Sequence, residues 1–362
     1  MILLVDGSNI VAGGGKTHLL ELLQHGMPHQ HGFEKVVVYG NGYVMESISN
    51  KEWLVKITPS LFSYGYVGRM LWQFFLRSKP VNGIWFVPGA GKAPGHYVTM
   101  CQNLLPIERK ERDRFFFSVT WVRLVILGWL HNKAFKRARG VIFFNQYCFN
   151  ALPQSTQMSL KRKAFIPHGV SDMFKPQSML PIHDTLKLIY VSTIDEYKHQ
   201  WKIARAVGEL NNEKIKIEID FIGAANSVSV NRLDPYLSDS IRYHGPVAYE
   251  ELPNWYSRAD AFIFGSTCET FGMVLLEAMA SGLPVLCSRY SSMPETLGEN
   301  ALYFDPLDHQ DVKRVIRMVY TDRSLLTELR SKGMVYAQQF TWNQTSSKTF
   351  EFLAACARQE RN

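Results

Sequence analysis

The sequence predicts an α/β protein built from two doubly wound parallel-sheet domains, and three observations carry that reading. Short apolar runs alternate with amphipathic stretches almost from end to end, the pattern of strand–helix–strand units. The alternation runs through the chain twice, which favours two sheets over one very large sheet. The chain has 362 residues, 46% of them hydrophobic and 20% charged, enough for about two folded domains. Such a composition excludes global disorder, collagen and coiled coil.

Taken in chain order, strands are expected at 2–5, 36–39, 83–87, 97–101, 141–144 and 164–166. A second set is expected at 186–191, 217–222, 241–243, 261–264 and 285–287. Helical spacing lies between many of them, at 17–23, 202–210, 250–258 and 274–281. The opening MILLVDGSNI has no basic segment ahead of its apolar run, so it reads as a first strand, not an export signal. Residues 167–181, PHGVSDMFKPQSMLP, hold three prolines and a glycine and are expected to part the domains. The expected division is 1–167, a linker at 168–181, and 182–338. Residues 339–362 are expected to form a C-terminal helix returning to the first domain.

Charge is distributed unevenly. Residues 1–170 carry 20 Lys and Arg against 8 Asp and Glu, whereas 171–362 carry 20 against 24. The first half is therefore expected to face something anionic: nucleic acid, a membrane surface or a phosphorylated substrate. Residues 106–140 place an aromatic and aliphatic run between two basic clusters. Its apolar part, 115–130, is too short for a bilayer span of about 20 residues and contains Arg123. It reads either as a buried domain helix or as a helix at a membrane surface, and the apolar stretch 60–76 adds to the second reading. Cys101, Cys148, Cys268, Cys287 and Cys356 are odd in number and lack metal-ligand spacing, which points to a reduced, intracellular protein.

Two constellations could carry chemistry. The first is the loop after the first strand, Asp6 to His18, where Gly13-Gly14-Gly15 run into a helix. Its amides could approach phosphate oxygens, or the loop could be a tight turn. Neither the P-loop nor the dinucleotide fingerprint can be fitted to it. The second and more specific one is FGSTCETFGMVLLEAMASGLP at 264–284. There Glu269 belongs to a loop after a strand and Glu277 to the helix that the loop opens. Two such carboxylates can accept hydroxyl bonds from one elongated ligand. Amides of Gly272, Met273 and Val274 at the helix start would then face its phosphates. Taken singly, either Glu could instead be solvated or cap the helix.

This second segment resembles the signature of the family-four retaining glycosyltransferases of the GT-B fold, with its two Glu separated by seven residues. Gly13, Gly14 and His18 resemble the family's glycine loop, and IPHGVSDMFKP at 166–176 its interdomain segment. IYVSTIDEYKHQ at 189–200 resembles the strand and loop of its phosphate-binding Lys. HGPVAYEELPNWYSRADAFIFGS at 244–266 and SRYSSMPETLGENALYFDP at 288–306 complete the match, which covers most of 166–345 and scattered parts of the first half. The resemblance implies two Rossmann-like domains facing a central cleft. It implies that Glu277 holds the ribose of a nucleotide diphosphate sugar, Glu269 the transferred sugar, and Lys198 the departing diphosphate. Gly13, Gly14, Phe271, Gly272, Met273 and Val274 would complete the donor cradle, with Val247 on the base side. Thr193 stands where the family usually has an Arg, and Gln102, a catalytic candidate, where it often has a His near the donor phosphates.

No D-x-D occurs in the chain, so no metal and no other cofactor is expected. The leading expectation is a retaining hexosyltransferase extending a lipid-linked, cell-surface glycan of lipopolysaccharide or O-antigen type. It would be cytoplasmic and peripheral at an anionic membrane, the inner face of the plasma membrane, and would bind no nucleic acid. The alternatives are a nucleotide-sugar-binding protein without transferase activity and a nucleic-acid-binding protein using the basic half.

Overall fold

The computed structural model describes residues 1–61, 68, 71–72, 83–176, 184–225 and 227–358. The chain forms two compact units: Met1–Gly169 with Thr341–Asn362, and Val170–Phe340. Of the segment 60–76 only 60–61, 68 and 71–72 are described, so its expected contribution to a membrane surface lies outside the described residues.

In unit one the strands are β1 (Ile2–Asp6), β2 (Lys35–Tyr39), β3 (Leu54–Ile57), β4 (Ile84–Val87), β5 (Tyr97–Met100), β6 (Gly140–Phe143) and β7 (Lys163–Phe165). They lie in the order β3-β2-β1-β4-β5-β6-β7. All pairs are parallel. A parallel sheet is covered on both faces, which is why its inner strands read as continuous apolar runs. Accordingly β4, β5 and β6 are buried at every position. Helices α1 (Gly13–Gln24), α2 (Gly42–Ser47), α3 (Arg109–Arg112), α4 (Val119–Arg137), α5 (Gln146–Asn150) and α6 (Gln154–Gln157) lie between the strands.

The C-terminal helix, Trp342–Ala357, packs into unit one through apolar and polar contacts together. Ser346 Oγ donates to the Leu22 carbonyl at 2.9 Å, and Phe350 packs on Phe33. Arg139 and Arg162 donate to the carbonyls of Cys356 and Ala355.

Unit two repeats the architecture with β8 (Leu186–Val191), β9 (Ile217–Ile222), β10 (Ile241–Tyr243), β11 (Ala261–Phe264), β12 (Val285–Ser288) and β13 (Leu302–Phe304). The order is β10-β9-β8-β11-β12-β13, again all parallel. Its helices are α7 (Gln200–Asn212), α8 (Ser227–Leu233), α9 (Leu252–Tyr256), α10 (Met273–Ala280), α11 (Met293–Leu297), α12 (His309–Thr321) and α13 (Ser324–Ala337). Residues 177–181 of the expected linker lie outside the described residues. Ahead of them Phe174 is buried within unit two against Tyr249 and Tyr256.

Strand order reverses between β1 and β4 in one sheet and between β8 and β11 in the other. Ligands of open α/β sheets bind outside the carboxyl ends of the strands at such a reversal. In unit two the loops leaving that point are the ones after β8 and β11. All five cysteines are buried thiols.

Candidate functional site

The loop after β8 is held by its own polar contacts. Gln200, fully buried at the start of α7, donates from Nε2 to the Thr193 carbonyl and to Ser192 Oγ, both at 2.9 Å. Across from it Gly223 is obligatory. Its φ is +144°, and a Cβ there would stand 1.9 Å from the Ser192 carbonyl oxygen. The chain then turns through Glu196–Lys198 and enters α7 by way of His199, whose φ is +56°.

Two tyrosines and a threonine tie this loop to the one after β11. Tyr190 OH donates to the Lys198 carbonyl at 2.7 Å and accepts the Gly265 N–H at 3.2 Å. Burial and the nearby charge of Glu269 push the Tyr190 phenol well above its ordinary range, so it stays a neutral donor. The Thr267 N–H donates to the Tyr197 carbonyl at 2.8 Å, and the His199 ring lies 3.2 Å from Thr267 Oγ1.

These ties bring Lys198 Nζ onto Glu269 Oε1. The pair is largely removed from water, with side chains 9% and 15% exposed. The ammonium also stands 5.0 Å from the Phe264 ring centroid. Ser291 fixes the main chain of Glu269, accepting its N–H at 2.9 Å and donating to its carbonyl at 2.8 Å.

Gly272 caps α10 with φ +78°, and a Cβ would come within 2.7 Å of Leu275 Cδ1. Met273 and Val274 follow at the part-exposed helix start, while Phe271 is buried against Phe340. Amides at such a helix start have no partner within the helix and favour an anion. Farther into α10 Glu277 is 1% exposed, and its Oε1 accepts a bond from Tyr249 OH at 2.7 Å. The charge of Glu277, after burial, helps to push the Tyr256 phenol far up. Val247 is half-buried in the loop between β10 and the turn that carries Tyr249.

Unit two thus gathers Lys198, Glu269, Phe271, Gly272, Met273, Val274 and Glu277 on the loop after β8, the loop after β11 and α10. Thr193 is exposed on the first of those loops. Sequence reasoning missed Tyr249, Tyr190 and Tyr197. Tyr249 lies inside the 244–266 segment, but nothing in the spacing shows a phenol reaching a carboxylate 28 residues on.

Unit one gathers the remaining candidates. Gly13, with φ +65°, and Gly14 are exposed at the start of α1. Gln102, half-buried after β5, points its amide oxygen at this turn, 3.5 Å from where a Cβ on Gly15 would stand. His18 is not exposed there. It is fully buried, with Nδ1 3.0 Å from His168 Nδ1, among Phe144 and Trp342. Burial holds its pKa down at about 4.

Residues 174–336 match the family model of the glycosyl transferases group 1. Among curated proteins the chain is 38% identical to O-antigen chain mannosyltransferase B of Escherichia coli over 109 residues, 30% of this chain and 29% of that one. It is 24% identical to D-inositol 3-phosphate glycosyltransferase of Arthrobacter sp. (strain FB24), over 57% of this chain and 50% of that one. Serotype-specific mannosyltransferase WbdA of Escherichia coli is also 24% identical, over 72% of this chain and 34% of that one. The chain therefore spans half the length of these relatives or less. Among solved structures, sucrose-phosphate synthase from Thermosynechococcus elongatus superposes with a TM-score of 0.78 at 17% identity, covering 97% of this chain and 98% of that one. WaaG, a glycosyltransferase involved in lipopolysaccharide biosynthesis, gives 0.71 at 13% identity, covering 98% and 99%. At these identities the likeness shows the fold, and the fold is GT-B.

Proposed function

We propose that this chain, whose residues 174–336 belong to the glycosyl transferases group 1 family, moves a hexose from a nucleoside diphosphate sugar to a growing glycan. We assign to the reaction retention at the anomeric carbon, no metal requirement, and a lipid-linked acceptor at the inner face of the plasma membrane. The observation that carries the reading is the enclosed Lys198–Glu269 pair ahead of the Gly272 cap, with Glu277 held by Tyr249 farther along α10.

Each group then has a task. Glu277, oriented by the Tyr249 hydroxyl, accepts bonds from the ribose hydroxyls. The amides at the start of α10 face the diphosphate, and Lys198 neutralises the charge that develops as the bond from the anomeric carbon to the diphosphate breaks. Glu269 holds the Lys198 ammonium in place and accepts from hydroxyls of the transferred sugar. The acceptor hydroxyl forms the new bond and loses its proton to the departing phosphate oxygen. Within unit one, Gly13, Gly14 and Gln102 are proposed as a separate group of neutral donors for an anion.

The similar proteins support the substrates. A structure from Anabaena that superposes with a TM-score of 0.71 at 17% identity holds UDP and glucose. An O-antigen chain mannosyltransferase and a lipopolysaccharide glycosyltransferase support a cell-surface glycan as acceptor. The test is incubation with a panel of nucleoside diphosphate hexoses and a lipid-linked glycan in excess chelator, with the product linkage read by proton NMR. Transfer with the donor's own anomeric configuration is expected. An inverted linkage would remove retention, and loss of transfer on chelation with recovery on adding magnesium would remove metal independence. Tight nucleotide-sugar binding with no product from any donor would leave a binding protein.

A further inference from the structure

We infer that the outward side of α4 is a docking surface for anionic lipid. Val119, Val122, Ile126, Trp129 and Leu130 recur at steps that place them on one side of the helix. All are exposed, Val119 by 88% and Trp129 by 60%. Leu124, Gly128, His131 and Phe135 are buried on the opposite side. There Gly128 lies so close to Pro106 that a Cβ would stand 2.4 Å from its carbonyl oxygen. The helix therefore carries apolar side chains on two sides, one built into unit one and the other facing out. The turn ahead of it adds Phe116 and Phe117. Phe117 is 92% exposed with φ +60°, and Phe116 braces it from one side while packing on Trp121 from the other.

A continuous exposed apolar strip marks an interaction site, and the charge around this one selects the partner. Residues 116–140 contain no Asp or Glu, but they hold Arg123, Lys133, Lys136, Arg137 and Arg139. The carboxylates just upstream are matched locally. Glu111 pairs with Arg114 at 2.6 Å, Asp113 with Arg109 and Arg112, and Glu108 accepts from Tyr147 OH. Lys133 extends the strip with its ammonium 4.7 Å from the Trp129 ring centroid, a pairing of aromatic and cation suited to the headgroup region. Among the described residues no helix is long and apolar enough to cross a membrane. Apolar side chains with a basic rim on such a helix suit it to lie in the interface plane.

The inference rests on the proposed function only for its purpose, which is to reach an acceptor anchored in lipid. Binding itself is measured without any sugar nucleotide. Co-sedimentation of the full chain compares vesicles of phosphatidylcholine alone with vesicles containing phosphatidylserine, at low and high salt. Wild type should sediment with the anionic vesicles at low salt, be released by high salt, and ignore the neutral ones. Exchange of Lys133, Lys136 and Arg137 for Gln should lower the partition about a hundredfold. Arg139 is left in place because it holds the Cys356 carbonyl. Ile126→Asp should lower the partition roughly tenfold or more.

Both variants should melt at the wild-type temperature, since neither exchange touches the buried side of the helix. Wild type that ignores anionic vesicles at low salt, or variants that bind them as well as wild type, would overturn the inference. A wild-type dimer in solution that Ile126→Asp dissociates would give the face to a second copy instead. Lipid binding without nucleotide binding would strike the proposed function and leave this inference standing.

Discussion

Removing the Lys198 ammonium leaves Glu269 as a carboxylate only 15% exposed, with its cation gone. Breaking a buried pair from one side costs about 3–5 kcal/mol, because the surviving charge is stranded. Neither member is wholly enclosed here, so Lys198→Ala belongs near the lower end, about 3 kcal/mol, part of it lost packing of the lysine stem. Adding Glu269→Gln removes the stranded charge and should return about 1–2 kcal/mol. Nucleotide affinity behaves differently. A charge-assisted bond to a diphosphate contributes roughly 1.5–3 kcal/mol, so affinity should fall about 10- to 100-fold in Lys198→Ala and stay low in the double variant. Urea denaturation reads the first effect and titration calorimetry with a nucleoside diphosphate reads the second. Stability of Lys198→Ala within roughly 0.5 kcal/mol of wild type would mean that the pair behaves as an exposed one. Unchanged nucleotide affinity would take Lys198 out of the site.

Glu277→Ala should weaken nucleotide binding by about 1.5–3 kcal/mol in calorimetry through the lost ribose bonds. Tyr249→Phe, which leaves the carboxylate but removes the bond that aims it, should weaken binding by about 1 kcal/mol. Gly223→Ala would press a methyl into the Ser192 carbonyl and should lower the unfolding free energy by several kcal/mol, on the order of 4, seen as a lower urea midpoint; a near-native midpoint would contradict the packing of the loops after β8 and β9.

Acid should destabilise unit one. His18 is held at about 4 instead of 6.5 by burial, and His168 is lowered by burial and by its neighbour His18. The unfolded chain binds these protons near pH 6.5 while the folded chain does not. Stability is therefore complete above that pH and falls from there toward about pH 4, by roughly 1.4 kcal/mol per pH unit for each histidine. Denaturation midpoints that stay level between about pH 7 and pH 5 would refute it.

Most of the fold was legible because central parallel strands are buried on both faces and so read as unbroken apolar runs. The two strands that sequence reasoning omitted are edge strands. β3 is only partly buried, with Lys56 in its middle, and β13 has three residues of which only Phe304 is buried. A strand buried on one side carries a weaker signature. The 115–130 segment left two readings open because one side of α4 lies in the core and the other is exposed. In the site, the Glu pair was visible from spacing along one loop and its helix. The Lys198–Glu269 pair was not, since its members lie 71 residues apart on the loops after β8 and β11, which the Tyr190 hydroxyl ties together.

Calorimetric titration of the wild-type chain and Glu277→Ala with a panel of nucleoside diphosphates and their hexose derivatives decides whether unit two holds a nucleotide-sugar donor. Wild type should bind one nucleoside diphosphate family in preference to the others, one ligand per chain. Glu277→Ala should lose at least about tenfold in affinity for that family. Wild type that binds none of them, or a Glu277→Ala variant that binds as tightly as wild type, would contradict a donor site built on Lys198, Glu269 and the α10 helix.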